Sequence, residues 1–206
     1  MEGPSEAKRS NRGDTMIAIV GLMLCAVFYL KYPHFFKFKL IKSFKFMVLH
    51  ILLALLVAQG ARMAGLTKVG ELENVLATNS KPEEAQIEAL VLLYDMPMYK
   101  AALAGFEDAI FVLPLLPIQN PIFLGVGITT STVLFTAGHR YQGTASMLGK
   151  LHYVGLAYYF ASRYGILTTM IAHAVNDVIA VWSLKKTLKK LCGDVPIRQC
   201  LEPLDE

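Results

Sequence analysis

The sequence predicts an all-α polytopic membrane protein with about six transmembrane helices. Three observations predict it. Of 206 residues, 54% are hydrophobic and only 17% are charged, where a soluble domain carries about a quarter charged residues. The apolar residues come in blocks of membrane-spanning size rather than as scattered pairs. Lysines gather at the edges of those blocks, at Lys31, Lys37, Lys39, Lys42 and Lys45 and again at Lys185, Lys186, Lys189 and Lys190, where they can meet anionic headgroups of the lipid bilayer.

The same features argue against other classes. The formal net charge is +4, but the soluble fold with basic residues interleaved among aromatics that marks a nucleic-acid surface is missing. No nucleic-acid partner is expected. The three cysteines, Cys25, Cys192 and Cys200, have no C-x-x-C spacing. Cys25 reads as a small core residue inside an apolar run, and the other two sit close enough in the tail to allow a disulfide.

The elements follow in order. Residues 1–14 are polar and read as a flexible N-terminus. Residues 15–66 hold two membrane helices, about Met16 to Leu30 and about Phe46 to Leu66, joined by a basic connector. The first run is short and resembles a signal-peptide core, but Lys31-Tyr32-Pro33 follows it instead of a small-residue cleavage site, so it reads as a retained helix. Residues 67–97 are acidic and read as an extramembrane loop, in which Pro82-Glu83-Glu84 suits the first turn of a short helix.

Residues 98–184 hold four further apolar segments. The first runs from about Tyr99 to Ile118, and Pro114, Pro117 and Pro121 should kink or break it near its end. The others cover about Pro121 to His139, Ser146 to Tyr164 and Gly165 to Leu184. Residues 185–206 form a basic C-terminal tail, expected on the cytoplasmic side from its lysines.

The acids inside these segments carry the functional argument. Glu107, Asp108 and Asp177 sit well inside apolar runs, and His139 and His173 lie in or near them. Each charge at a membrane helix centre costs roughly 2.5–3.5 kcal/mol on insertion scales. These groups must therefore be paired, protonated or solvated, and one shared polar cavity would serve them all. Spacing agrees. His173 and Asp177 are four apart on one helix face, with Asn176 beside them, and Phe135 and His139 are likewise four apart. Glu107 and Asp108 are adjacent, so they cannot point the same way. A carboxylate sheltered from bulk water can act as a general base, a histidine beside it can hold the same water, and a second histidine with an amide or acid one turn on can donate to an oxyanion.

Three stretches also resemble the motifs of the CPBP family of membrane proteins, which includes CAAX prenyl proteases and Abi-type bacteriocin-processing or immunity proteins. That family's pattern is Glu-Glu-x-x-x-Arg, Phe-x-x-x-His and His-x-x-x-Asn/Asp on successive helices. The corresponding residues here are Glu107-Asp108 with Val112, Phe135 with His139, and His173 with Asp177. The stretch from Gly155 through Tyr164-Gly165 to Ala172-His173 is similar to the family's closing two helices.

The resemblance spans about residues 98–184 and implies that the last four helices form a catalytic core. It implies a metal-independent intramembrane glutamic protease, with no cofactor, acting on a membrane-anchored protein or peptide. Glu107 would be the base, His139 would help bind the water, and His173 with Asp177 would stabilise the oxyanion. Asp108, Asn176 and Phe135 would support them. Two departures stand out. Asp108 is shorter than the motif's second glutamate, and Val112 replaces the arginine that would pair with it, so Asp108 needs another partner, such as Arg140 or Arg163. Three other readings compete: a metal-dependent membrane enzyme using the same histidines and acids, a non-catalytic scaffold or immunity protein, and, more weakly, a transporter.

Overall fold

The structure is a computed structural model that describes residues 6–64, 84–139 and 144–201. The acidic stretch over 67–83, the extreme N-terminus and Arg140 lie outside the described residues. Every regular element among those described is helical: α1 (Glu6–Lys31), α2 (Leu40–Met63), α3 (Glu84–Asp95), α4 (Met98–Leu103), α5 (Gly105–Phe111), α6 (Pro121–Gly138), α7 (Thr144–Gly149), α8 (Tyr153–Tyr164), α9 (Ile166–Cys192) and α10 (Ile197–Leu201), with short 3-10 turns at Pro33–Phe35 and Leu113–Leu115.

Three of these helices are long and apolar enough to cross a membrane: α2 over Leu40–Ala61, α6, and α9, while α1 carries a shorter apolar stretch over Met16–Lys31. Their outward residues are apolar as well. Leu55, Leu56, Ile122, Phe123 and Trp182 are exposed, which suits lipid rather than water.

The other two predicted spans are not single helices. The run from Tyr99 to Ile118 is broken into α4, α5 and a 3-10 turn around Pro114. Proline explains the late break, since its ring removes a donor and blocks the preceding turn; the earlier break at Ala104 has no such cause in the sequence. Irregular backbone at membrane depth is tolerated where protein surrounds it, and α5 packs between α1 and α9. Gly105 makes this possible: a Cβ there would collide with the Met170 carbonyl of α9. The predicted fifth span is divided into α7 and α8 by a turn at residues 150–152.

α6 begins where local chemistry dictates. The Asn120 side chain accepts from the amides of Ile122 and Phe123 at 2.9 and 3.3 Å, and Pro121 occupies the first turn, a pairing that caps the free donors of a helix start. α2 is tied to α9 by two polar contacts: Ser43 Oγ donates to the Thr168 carbonyl at 2.7 Å and the Lys39 amide donates to Thr168 Oγ1 at 3.2 Å. Gly165, at φ 96°, turns the chain between α8 and α9 where a side chain would strike the Lys37 backbone.

The main core lies where α2, α5, α6, α8 and α9 meet, around Phe46, Ala109, Phe135, Tyr153, Phe160 and Ile166. The basic tail is not a separate segment. α9 continues through the lysines to Cys192, and Leu188, Cys192, Ile197 and Leu201 pack with Ile87 and Leu90 of α3 in a second apolar cluster. Cys192 and Cys200 are joined by a disulfide there.

Candidate functional site

The broken third segment sets the site. It places Glu107 and Asp108 in the first turn of α5. Successive helical residues point about 100° apart, and the two acids diverge accordingly.

Asp108 turns inward and is 1% exposed. Its Oδ1 accepts from Tyr153 Oη at 2.7 Å and from His173 Nδ1 at 3.2 Å. The Tyr153 ring stacks on Phe135, with centroids 4.8 Å apart and planes 14° apart, and lies 4.9 Å from the His173 ring. Tyr153 and His173 are thus the partners that Asp108 lacked in the sequence. Arg163 is not one of them: it is exposed, with its guanidinium 4.6 Å above the Tyr159 ring. Val112, one turn on from Asp108, is fully buried in the apolar core, and Asp108 Oδ2 is buried with no hydrogen-bond partner.

Glu107 turns the other way, into a cavity of about 260 Å³ that His139, Asn176 and Asp177 also line. His139 sits just past the end of α6, and its Nδ1 lies 2.7 Å from the Phe135 carbonyl. A carbonyl can only accept, so Nδ1 carries the proton. Nε2 therefore faces Glu107 Oε2 across 3.8 Å, beyond hydrogen-bond contact and within the span one bridging water can serve. Glu107 Oε2 is buried and has no hydrogen-bond partner among the described residues. Asp177, also in the lining, has its Oδ2 3.8 Å from Nε2 of His173 behind it, and the Asn176 amide donates to Asp177 Oδ1 at 3.2 Å.

The predicted site residues therefore fall into two layers instead of one pocket. Glu107, His139, Asn176 and Asp177 line the cavity. Asp108, His173 and Phe135 lie behind it, with His173 bridging the layers through its two ring nitrogens. The i, i+4 pairs meet as their spacing requires: Phe135 and His139 rings are 4.5 Å apart.

Four residues escaped the sequence reading. Tyr153 anchors Asp108, and Lys100 and Lys150 line the cavity. His152 meets His50 of α2, with its Nε2 3.0 Å from His50 Nδ1. No local spacing could reveal these, because each partner comes from a different segment. Among the described residues no group of three or more His, Cys, Asp or Glu is arranged to hold a metal ion.

Set against protein-family models, curated proteins and solved structures, the chain matches none. The CPBP resemblance accordingly rests on the three motifs and the Gly155–His173 stretch alone.

Proposed function

We propose that the protein is an intramembrane endopeptidase that hydrolyses a peptide bond of a membrane-associated protein or peptide without a covalent intermediate. In this reading α1, α2, α6, α9 and the two broken segments together make a six-segment unit, the last four segments being the catalytic core. Glu107 and His139 hold a water between them, and Glu107 takes its proton as the water attacks the peptide carbonyl. The Asn176 amide donates to the oxyanion that forms, and Asp177 either donates to it as a neutral acid or orients a protonated His173 that does. The proton on Glu107 then passes to the leaving amine.

The observation that carries this reading is the gap between Glu107 Oε2 and His139 Nε2. Two basic groups face each other over 3.8 Å, one of them a buried carboxylate oxygen with no hydrogen-bond partner, at the wall of a cavity. A purely structural acid would be expected to spend that oxygen on a donor. Asp108 argues against the scaffold reading in a smaller way, since Tyr153 and His173 fill the place of the missing arginine.

The test is cleavage of a panel of membrane-tethered peptides by reconstituted wild-type protein, Glu107→Gln and His139→Ala. The base variant should lose activity by roughly 10²–10⁴-fold, the range for removing a general base. Equal cleavage by all three proteins would end the proposal, and no cleavage by any of them would favour a scaffold.

Orientation has its own experiment. The lysines of 185–190 favour a tail on the cytoplasmic side, whereas the Cys192–Cys200 disulfide favours an oxidising compartment. Labelling the two cysteines with a membrane-impermeant thiol reagent, before and after reduction and on each face of sealed vesicles, decides between them.

A further inference from the structure

Glu107 and Asp177 share one cavity, and the hydrolysis proposed above needs Glu107 ionised. Acids confined together suppress each other's ionisation, and one of them then keeps its proton. The histidines do not remove this difficulty. His139 is the acceptor that holds the water in the proposed reading, so it must stay uncharged. His173 is shared with Asp108 behind the cavity, and even a protonated His173 offsets one of three acids. Two further positive charges are needed, and the wall holds two lysines, Lys100 of α4 and Lys150 of the turn between α7 and α8.

The turn that carries Lys150 is held on both sides. Gly149 lies against α2, where a Cβ would come within 3.3 Å of the Ala54 carbonyl. His152 meets His50 of α2 at 3.0 Å, one imidazole donating to the other. The Tyr153 amide donates to the Lys150 carbonyl at 2.9 Å, and the Tyr153 hydroxyl donates to Asp108. The Lys150 backbone is thus fixed between α2 and the inner acid. Its side chain lines the cavity near enough for its charge to act on both Glu107 and His139. A positive charge favours an ionised carboxylate and an uncharged imidazole, which is the pair of states the water-holding gap requires.

We propose that Lys150 is a positioning residue for the hydrolysis, its ammonium offsetting the charge of Asp177 so that Glu107 stands ionised and His139 uncharged with the water between them. This rests on the hydrolytic reading. Lys150 touches neither the water nor the peptide in it and acts through Glu107.

The carboxyl stretch of Glu107 reports its ionisation without any substrate. Infrared difference spectra of the detergent-solubilised protein, with Glu107→Gln subtracted to assign the band, are recorded across pH for wild type, Lys150→Met, Lys150→Arg and Lys100→Met. The other titratable groups around Glu107 are His139 past the end of α6, Lys100 of α4, His173 and Asp177 of α9, and Asp108 on its own helix. All of them remain in Lys150→Met. Losing the one positive charge should raise the Glu107 midpoint by about 1 pH unit, a tenfold gain in proton affinity. Lys150→Arg should stay with wild type, and Lys100→Met should move the midpoint less. The proposal is overturned if Lys150→Met leaves the midpoint where it was, or if Lys100→Met moves it as far. Should the methionine variant fail to fold, Lys150→Gln, which keeps a polar end, repeats the measurement. Cleavage of tethered peptides separates this proposal from the reading beneath it. In the hydrolytic reading the acid limb of the pH–rate profile moves with the infrared midpoint. An infrared shift in a protein whose wild type cleaves no peptide rejects hydrolysis while the charge balance of the cavity stands. Cleavage with an unmoved infrared midpoint rejects the role of Lys150 alone.

Discussion

Glu107 and Asp108 are neighbours in sequence and occupy opposite chemical situations. Asp108 faces the core, where a tyrosine and a histidine from two other helices bind one of its oxygens beneath a stack of aromatic rings. Glu107 faces a cavity, with a histidine 3.8 Å away and a buried oxygen that no donor serves. One residue step along a helix, about 100° of rotation, thus separates an acid that ties helices together from an acid left available to a ligand. The difference teaches that burial alone does not identify a reactive carboxylate. What distinguishes the two is where the hydrogen bonds go.

The largest expected effect comes from breaking the inner site. Asp108→Ala leaves the Tyr153 hydroxyl and His173 Nδ1 buried without their acceptor. Removing one member of a buried charged network costs about 3–5 kcal/mol, enough to abolish folding in a marginal protein. Thermal unfolding in detergent, followed by tryptophan fluorescence or loss of the monodisperse peak, should record a collapse in yield or a fall of about 10 °C, at roughly 2–4 °C per kcal/mol for a chain of this size. A folded Asp108→Ala with an unchanged midpoint would mean that the inner site does not hold the helices together.

Tyr153→Phe is gentler because it keeps the ring against Phe135 and deletes only the hydroxyl. A hydrogen bond to a charged group contributes about 1.5–3 kcal/mol, so the midpoint should fall measurably while the protein still folds. Activity should fall with it in the proposed reading, since Asp108 would then hold His173 alone. A variant that loses stability but keeps full peptide cleavage would separate the inner site from the chemistry.

Gly105→Ala strikes both acids together, because the new methyl meets the Met170 carbonyl and α5 must shift as a body. Overpacking of this kind costs about 1–3 kcal/mol. It should weaken both the Asp108 bonds and the Glu107–His139 facing, and so lower stability and cleavage in the same protein. Retained cleavage would place the reacting groups on some element other than α5.

Much of this arrangement was legible in the sequence because it is local. The start of α6 at Pro121 follows from the end of one apolar run and the opening of the next, and His173 with Asp177, like Phe135 with His139, share a face through helical spacing alone. The divergence of Glu107 from Asp108 follows from adjacency. What could not be read is what depends on folding back across segments. Tyr153 reaches Asp108 from 45 residues away, and His50 reaches His152 from 102 away. The missing arginine at Val112 identified Asp108 as needing a partner but could not say which residue would serve. Hydropathy likewise treated residues 99–118 as one span, because averaging over a window does not register a break at Ala104. The lysines of 185–190 concealed that α9 runs on past them, since charge marks the edge of lipid and not the end of a helix.

The smallest effect on stability is the sharpest test of the comparison. Glu107→Gln preserves shape and removes a buried charge, and no hydrogen bond to Oε2 from a described residue is lost because none is present. Replacing a buried, weakly satisfied charge by a neutral isostere is neutral or stabilising, so the unfolding midpoint should stay within about 0.5 kcal/mol of wild type or rise. Asp108→Asn, the matching change one residue on, should lose about 1.5–3 kcal/mol, because its oxygen accepts two hydrogen bonds that a neutral amide accepts more weakly. The two midpoints, measured side by side, decide the assignment of roles before any substrate is found. If Glu107→Gln destabilises the protein as much as Asp108→Asn does, Glu107 is a structural acid and the cavity loses its proposed base.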